Sequence, residues 1–326
     1  MNDLYIVSTY YHALIACVRH INNGGNADIM VTNYIPQHEM LAERLIKSEL
    51  FERTFPVGKI EEYRPSCWLD YALNNNCRNK RLVEDQLGFS LNNKYKNIYI
   101  FHDDTWIARY LKCARIPYHL LEDALDSFKI ICDSSFAYMV HKDNLKMRLK
   151  NILRLGYTYC GYDRYTKSVE VNSIDGVKIK HLAKGKLVEL PRKPMFDKLS
   201  DSDIVKLKNI FMKDIPELDS NNSMLLLTQP LYVDRIVEDE AKQAEIYRRL
   251  AEKHIGDLKL VVKPHPRDSV DYTGLFPDAT LLDKDMPLEI VAMIIAPHFA
   301  KIVSLGSTCT NAIRADEYIK DNIEDL

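Results

Sequence analysis

Residues 4–20, LYIVSTYYHALIACVRH, carry the pattern that decides the fold. Leu4 to Ser8 is a short apolar run, and the pattern turns helical from Thr9 to His20. A strand running straight into a helix is the first unit of an α/β fold. Ser8 or Thr9 supplies the helix N-cap.

The same rhythm continues outward. Ala27–Thr32 reads as a second strand, His38–Leu50 as a helix with Met40, Leu41, Leu45 and Leu50 on one period, and 51–57 as a third strand. Residues 67–87 are mostly helical. Asn97–Phe101, NIYIF, is a buried strand with His102-Asp103-Asp104 at its end, and a helix starts at Thr105. Tyr118–Leu121 is another strand, ending in Glu122-Asp123. Residues 156–200 hold short β-like pieces and turns, and 188–203, with Pro191 and Pro194, reads as a connection between halves. The rhythm then restarts: strands at 223–228, 258–263, 279–282 and 301–304, and helices at 234–255, 286–295 and 307–318. The expected division is 1–195 and 196–326. Open parallel sheets place ligands at the carboxyl ends of their strands, so the polar groups there are the candidates for chemistry.

Composition bounds the function. At 326 residues the chain is long enough for two domains. A net charge of −2 lacks the basic excess of a general nucleic-acid binder. Only 11 glycines occur, and no G-x-G-x-x-G or P-loop pattern is among them. The 7 cysteines are odd in number and form no C-x-x-C pair, so neither a disulfide framework nor a zinc ribbon is expected, and the compartment is a reducing one. With an acid at position 3, no basic leader region and no long apolar run, the expected location is cytoplasmic. The stretch 142–155, KDNLKMRLKNILRL, reads first as a packed helix with a solvated basic face. Its second reading is a peripheral contact with the inner face of the cell membrane.

The sharpest local signal is Lys263-Pro264-His265-Pro266-Arg267 at a strand end. The prolines fix the backbone, and Lys263, His265 and Arg267 suit an anion such as phosphate. A rigid turn with a surface histidine is the plain alternative. Ser304-Leu-Gly-Ser-Thr-Cys-Thr310 offers Ser307 and Thr308 at a helix start, a phosphate-binding arrangement and equally an ordinary N-cap. Glu122 and Asp123 are candidate general bases, of which a strand points only one to a given side. His12 lies in the opening strand-helix unit, and Asp104 follows the strand at 97–101. Glu289 stands in a first helical turn, where it meets ribose hydroxyls or the helix dipole. Asp201-x-Asp203 and Asp283-x-Asp285 read as surface loops, and no metal is called for.

Taken in order, Glu122-Asp123-Ala124, Lys263-Pro-His-Pro266, Pro287-x-Glu289 and Ser307-Thr308 resemble the bacterial sialyltransferases. Those enzymes share a D/E-D/E-G motif, an HP motif and a paired-hydroxyl motif. Val7–His12 and Thr228-Gln229-Pro230 look like the same group. The sequence is similar in particular to glycosyltransferase family 52, with the bacterial polysialyltransferases as neighbours. The resemblance implies two Rossmann-like α/β domains facing a cleft, the glycosyltransferase B architecture. It implies a CMP-sialic acid donor and an oligosaccharide or lipid-linked acceptor of a bacterial surface glycan, capsule or lipooligosaccharide, with no cofactor and no nucleic acid. Glu122 or Asp123 would be the base, with Asp234 a weaker alternative. His265 would meet the leaving phosphate, Ser307 and Thr308 would bind it, and Glu289 would hold the ribose. Lys263, Pro266 and Arg267 belong to the donor side, the two cations on charge alone. His12 and Asp104 belong to the acceptor side. Two departures stand out: Ala124 replaces the motif glycine, and the hydroxyl pair is Ser-Thr. Another cytidine-nucleotide donor (a different nonulosonic acid or CDP-glycerol) and a non-catalytic nucleotide- or glycan-binding protein remain as alternatives. The oligomeric state stays open, a dimer included.

Overall fold

The computed structural model describes residues 1–64, 66–124, 127–131, 160–161, 163–177, 185–212, 219–286, 288, 291–292, 298–305 and 313–325. The basic stretch 142–155, Glu289, Ser307 and Thr308 lie outside the described residues. The chain divides into two compact units, Met1–Ser200 and Asp201–Leu326.

In the first unit the elements run β1 (Asp3–Val7), α1 (Tyr10–Asn23), β2 (Ala27–Thr32), α2 (His38–Lys47), β3 (Arg53–Val57), α3 (Trp68–Leu87), β4 (Ile98–Ile100), α4 (Trp106–Ala114), β5 (Tyr118–Leu121), α5 (Ser127–Ile131), β6 (Thr166–Val171), β7 (Leu187–Glu189) and α6 (Arg192–Phe196). The strands form one sheet in the order β3-β2-β1-β4-β5-β6-β7. Every pairing in it is parallel. A parallel sheet is covered on both faces, so its inner strands are apolar throughout. β2 is buried at every position, and Leu4, Val7, Ile29, Met30, Leu120 and Leu121 are all inaccessible or nearly so. Thr9 caps α1 by accepting from the backbone N–H of His12 at 3.1 Å. Gly24, at φ 63°, closes the helix by donating to His20 O.

The second unit follows with α7 (Asp201–Phe211), β8 (Ser223–Leu227), α8 (Glu240–His254), β9 (Lys259–Lys263), α9 (Tyr272–Leu275), β10 (Thr280–Leu281), β11 (His298–Ser304) and β12 (Arg314–Lys320). Its sheet has the order β10-β9-β8-β11-β12, again all parallel. Tyr247, Leu250, Val262 and Val303 pack around the fully buried strand β8.

Each sheet has a point where strand order reverses, between β1 and β4 in the first and between β8 and β11 in the second. The carboxyl ends beside such a point are the ligand position of open α/β sheets.

Four expectations need correction. The helix expected to reach residue 318 gives way to strand β12, because Arg314–Lys320 pair in parallel with β11 and tertiary pairing overrides helix propensity. The helix expected from residue 234 starts at Glu240, because Asp239 caps it by accepting from Lys242 N–H at 2.7 Å. Asp201 and Asp203 sit in the first turn of α7, where they complement the helix dipole, and not in a loop. The connection 188–203 contains the end of β7 and the helix α6. Among the described residues no helix is long and apolar enough to cross a membrane.

Leu226, on the central strand β8, is fully buried. Leu226→Ala is expected to destabilise the second unit by about 2–5 kcal/mol. A urea titration followed by far-ultraviolet circular dichroism checks it, and a change within error would mean that β8 is not the core of that unit.

Candidate active site

Strand β5 resolves the pair of adjacent carboxylates. The backbone N–H of Glu122 still donates to Glu170 O at 3.0 Å, so the strand alternation extends to these residues. Glu122 turns inward and is 1% exposed. Its Oε2 accepts from Asn172 N–H at 2.7 Å, and its Oε1 from Phe128 N–H at 3.4 Å. Asp123 turns outward, with its side chain 33% exposed.

Asp123 Oδ1 lies between two imidazoles. His12 Nε2, from the start of α1, donates to it at 2.7 Å, and His102 Nε2, from the end of β4, is at 3.0 Å. His12 is fully buried and stacks on Phe101 with centroids 4.2 Å apart. Its Nδ1 accepts from Ser8 N–H at 3.2 Å, so the neutral ring carries its proton on Nε2. Burial lowers the pKa of His12, against the pull of Asp123. Burial also works to raise the pKa of Asp123, but the hydrogen bonds from His102 and His12 outweigh it and hold the carboxyl far below the usual range. For His102, burial is outweighed by the hydrogen bond and charge of Asp123, and its pKa is raised. Asp123 Oδ2 has no hydrogen-bond partner among the described residues. The result is an ionised carboxylate with one oxygen clamped and the other available to a hydroxyl.

His12, His102 and Asp123 also have a metal-type donor set, with ligand atoms all within 4.8 Å of one another. The Ser8 hydrogen bond argues for a proton between them. A cation would need the Nε2 lone pair of His12, and that tautomer does not offer one.

The acidic residues after β4 divide in the same way. Asp103 is buried and accepts from Cys160 and Gly161 N–H at 2.9 and 2.8 Å, tying down the start of the segment before β6. Asp104 is exposed.

In the second unit, His265 follows β9 in a turn built on Asp268. Asp268 is 4% exposed and accepts from Thr228 Oγ1 at 2.7 Å, Gln243 Nε2 at 2.7 Å and Tyr272 OH at 2.9 Å. Thr228 Oγ1 in turn accepts from His265 N–H at 3.1 Å. The Nδ1 of His265 accepts from Arg267 N–H at 3.1 Å, so its neutral ring also carries the proton on Nε2. Burial, then the charges of Arg267 and Lys263, lower its pKa.

The two cations flanking His265 are already engaged. Lys263 is 6% exposed, and its Nζ donates to Pro264 O and Lys284 O at 2.8 and 2.9 Å. It braces the turn from within. Arg267 is exposed but holds Asp234 through two hydrogen bonds, at 2.8 and 3.2 Å. Pro266 is exposed beside it.

The family model for glycosyltransferase family 52 matches residues 69–318. The chain belongs to glycosyltransferase family 52. An uncharacterized protein of Haemophilus influenzae is 34% identical over 122 residues, a match spanning 37% of each chain. Among solved structures, an alpha/beta-galactoside alpha-2,3-sialyltransferase from Photobacterium phosphoreum covers 99% of both chains at 11% identity and a TM-score of 0.55. A sialyltransferase from Photobacterium damsela covers 98% of this chain and 75% of its own at 13% identity and a TM-score of 0.52. At these identities the likeness is one of fold, the two-sheet glycosyltransferase B architecture.

Within this family-52 chain the sequence singled out His12, Asp123 and His265 but passed over His102 and Asp268. The position of His102 directly after an apolar strand was the available signal. Asp268 had none, because its role rests on partners from three other elements.

The histidine pKa shifts give a direct test. The folded pKa of His102 lies above its ordinary value near 6.5. The stability it contributes is therefore complete below about pH 6.5 and is lost as pH rises through the folded value. In Asp123→Asn the NMR titration of His102 should move down toward that of free imidazole, and this alkaline loss of stability should vanish. An unchanged titration would refute the pairing.

Proposed function

We propose that this protein transfers sialic acid from CMP-sialic acid, with inversion, to a sugar hydroxyl of a bacterial surface glycan. The observation that carries the reading is Asp123, held ionised at a strand end by His12 and His102 with Oδ2 uncommitted. The family and the fold shared with two sialyltransferases support it.

In this mechanism Asp123 Oδ2 receives the acceptor hydroxyl proton as general base. The acceptor oxygen forms a bond to the anomeric carbon while the bond from that carbon to the phosphate oxygen breaks, and its electron pair leaves on CMP. The transition state is oxocarbenium-like. His265 donates its Nε2–H to the departing phosphate, an interaction that strengthens as charge develops there. Ser307 and Thr308 bind the same phosphate and Glu289 the ribose, roles that rest on the motif resemblance. Glu122 is not the base in this scheme, because its oxygens hold the backbone of Asn172 and Phe128. Residues 1–195 bind the acceptor and 196–326 the donor. Arg267 contributes to phosphate binding once it exchanges Asp234 for the ligand.

Asp123→Asn is expected to lower kcat about 10²–10⁴-fold while leaving CMP affinity within a factor of a few. His265→Ala is expected to lower kcat about 10²–10³-fold. A calorimetric panel of cytidine mono- and diphosphate with uridine and guanosine controls, run beside transfer assays, checks both. Tightest binding of CMP supports the donor assignment. A preference for CDP would redirect it to glycerol phosphate transfer, and full turnover in either variant would overturn the mechanism. Nucleotide binding with no transfer to any acceptor would favour a non-catalytic binding protein.

A further inference from the structure

We infer that Arg192, Arg19 and Glu170 form a buried site for a small monovalent oxyanion of the carboxylate class, set in the first unit between β6, α1 and α6. The site lies within that unit and is independent of the reaction proposed above.

Glu170 points from β6 toward α1, where both of its oxygens accept from the guanidinium of Arg19. Arg19 also lies over the Tyr99 ring, with its Cζ 4.6 Å from the centroid. α6 closes the same space. The backbone N–H of Arg192 donates to Oδ1 of Asn172, directly after β6, at 2.9 Å. Asn22, on α1 beyond Arg19, donates from Nδ2 to Met195 O of α6 at 2.9 Å. Arg192 is thereby held between the end of β6 and α1, and it is 4% exposed. The side chains of Arg19 and Glu170 are 11% and 7% exposed. Burial raises the pKa of Glu170 against the charges of Arg19 and Arg192, which agrees with this placement.

The guanidinium of Arg192 is the unusual member. Its Nη1 contacts the sulfur of Met195 at 3.8 Å. Its Nε and Nη2 are buried and have no hydrogen-bond partner among the described residues. Those two nitrogens form one edge of the guanidinium, with parallel N–H groups that match the two oxygens of a carboxylate. Elsewhere in the chain the same edge is spent on a carboxylate: Arg53 on Asp28, Arg109 on Glu62 and Arg248 on Glu245.

Charge sets the class. Two guanidinium groups share one carboxylate, and a guanidinium does not lose its proton. The three side chains therefore hold one surplus positive charge in a buried place, which is costly without a counter-charge. One monovalent anion balances it. The paired N–H edge selects two oxygens on a common centre, and burial excludes anything beyond a few heavy atoms. Formate, acetate and bicarbonate meet all three conditions. The backbone N–H of Asn172 goes to Glu122 Oε2, so an anion on Arg192 also braces the strand end beside Asp123.

The test is thermal unfolding of the full chain in chloride-free buffer, with sodium formate replacing sodium gluconate at constant ionic strength. Gluconate is a carboxylate too bulky for the site. The melting temperature should rise by about 3–6 °C once formate reaches about ten times its Kd. The Nε–H NMR signal of Arg192 should shift with the same Kd, and chloride should produce neither effect. Arg192→Lys keeps the charge but lacks the paired edge, and Arg192→Met removes the surplus charge, so neither variant should respond to formate. An equal rise in either variant, an equal rise with chloride, or an unmoved melting temperature and Nε–H signal in wild type would overturn the site. Should both variants fail to fold, the Nε–H signal of the wild-type protein decides alone.

Discussion

Parallel pairing is the constraint from which the rest of the molecule follows. Every strand contact in both sheets is parallel. Parallel neighbours need crossover connections, and the crossover helices bury both faces of the sheet. The inner strands must then be apolar throughout, as β2 and β8 are. The carboxyl ends of all strands in a unit also come to one edge. In the first unit this gathers Ser8, His12, His102 and Asp123 at one place although they are far apart in sequence. In the second it brings Thr228 beside the turn that carries His265.

On those rims, function depends on which hydrogen bonds are already spent. The two units use the same device on their histidines. His12 accepts a backbone N–H from Ser8 at Nδ1, and His265 accepts one from Arg267. Each ring is thereby left with its proton on Nε2. In His12 that proton goes to Asp123 and fixes the carboxylate. In His265 it remains to be offered to a ligand. Neither tautomer would be defined without the backbone donor two or four residues away. The second-unit turn depends further on Asp268, a buried carboxylate stabilised by three side-chain donors. Removing one of those donors would leave buried polar atoms unsatisfied and displace the turn.

Much of the fold was legible in the sequence because it is local. The apolar runs at 4–8, 27–32, 118–121 and 223–228 mark strands by composition, and Thr9 marks its helix by capping chemistry. The limits are equally physical. Arg314–Lys320 is rich in helix-compatible residues, and only its pairing with β11 makes it a strand. Lys263 reads from its charge alone as a group for an anion, and the sequence does not show that its ammonium donates to two carbonyls of its own turn.

The sequence by itself determined the α/β class, the parallel arrangement and the strand ends at which chemistry would sit, because alternation and apolar runs act through near neighbours. It also named Glu122 and Asp123 as a pair. Strand alternation put them on opposite sides, and only the tertiary structure decided which faces where. One carboxylate faces the core and is consumed by the backbone of Phe128 and Asn172, while the other meets His12 and His102. That difference rests on contacts between residues up to 111 positions apart. No local pattern encodes it, because the partners of a side chain are chosen by how strands are ordered in the sheet.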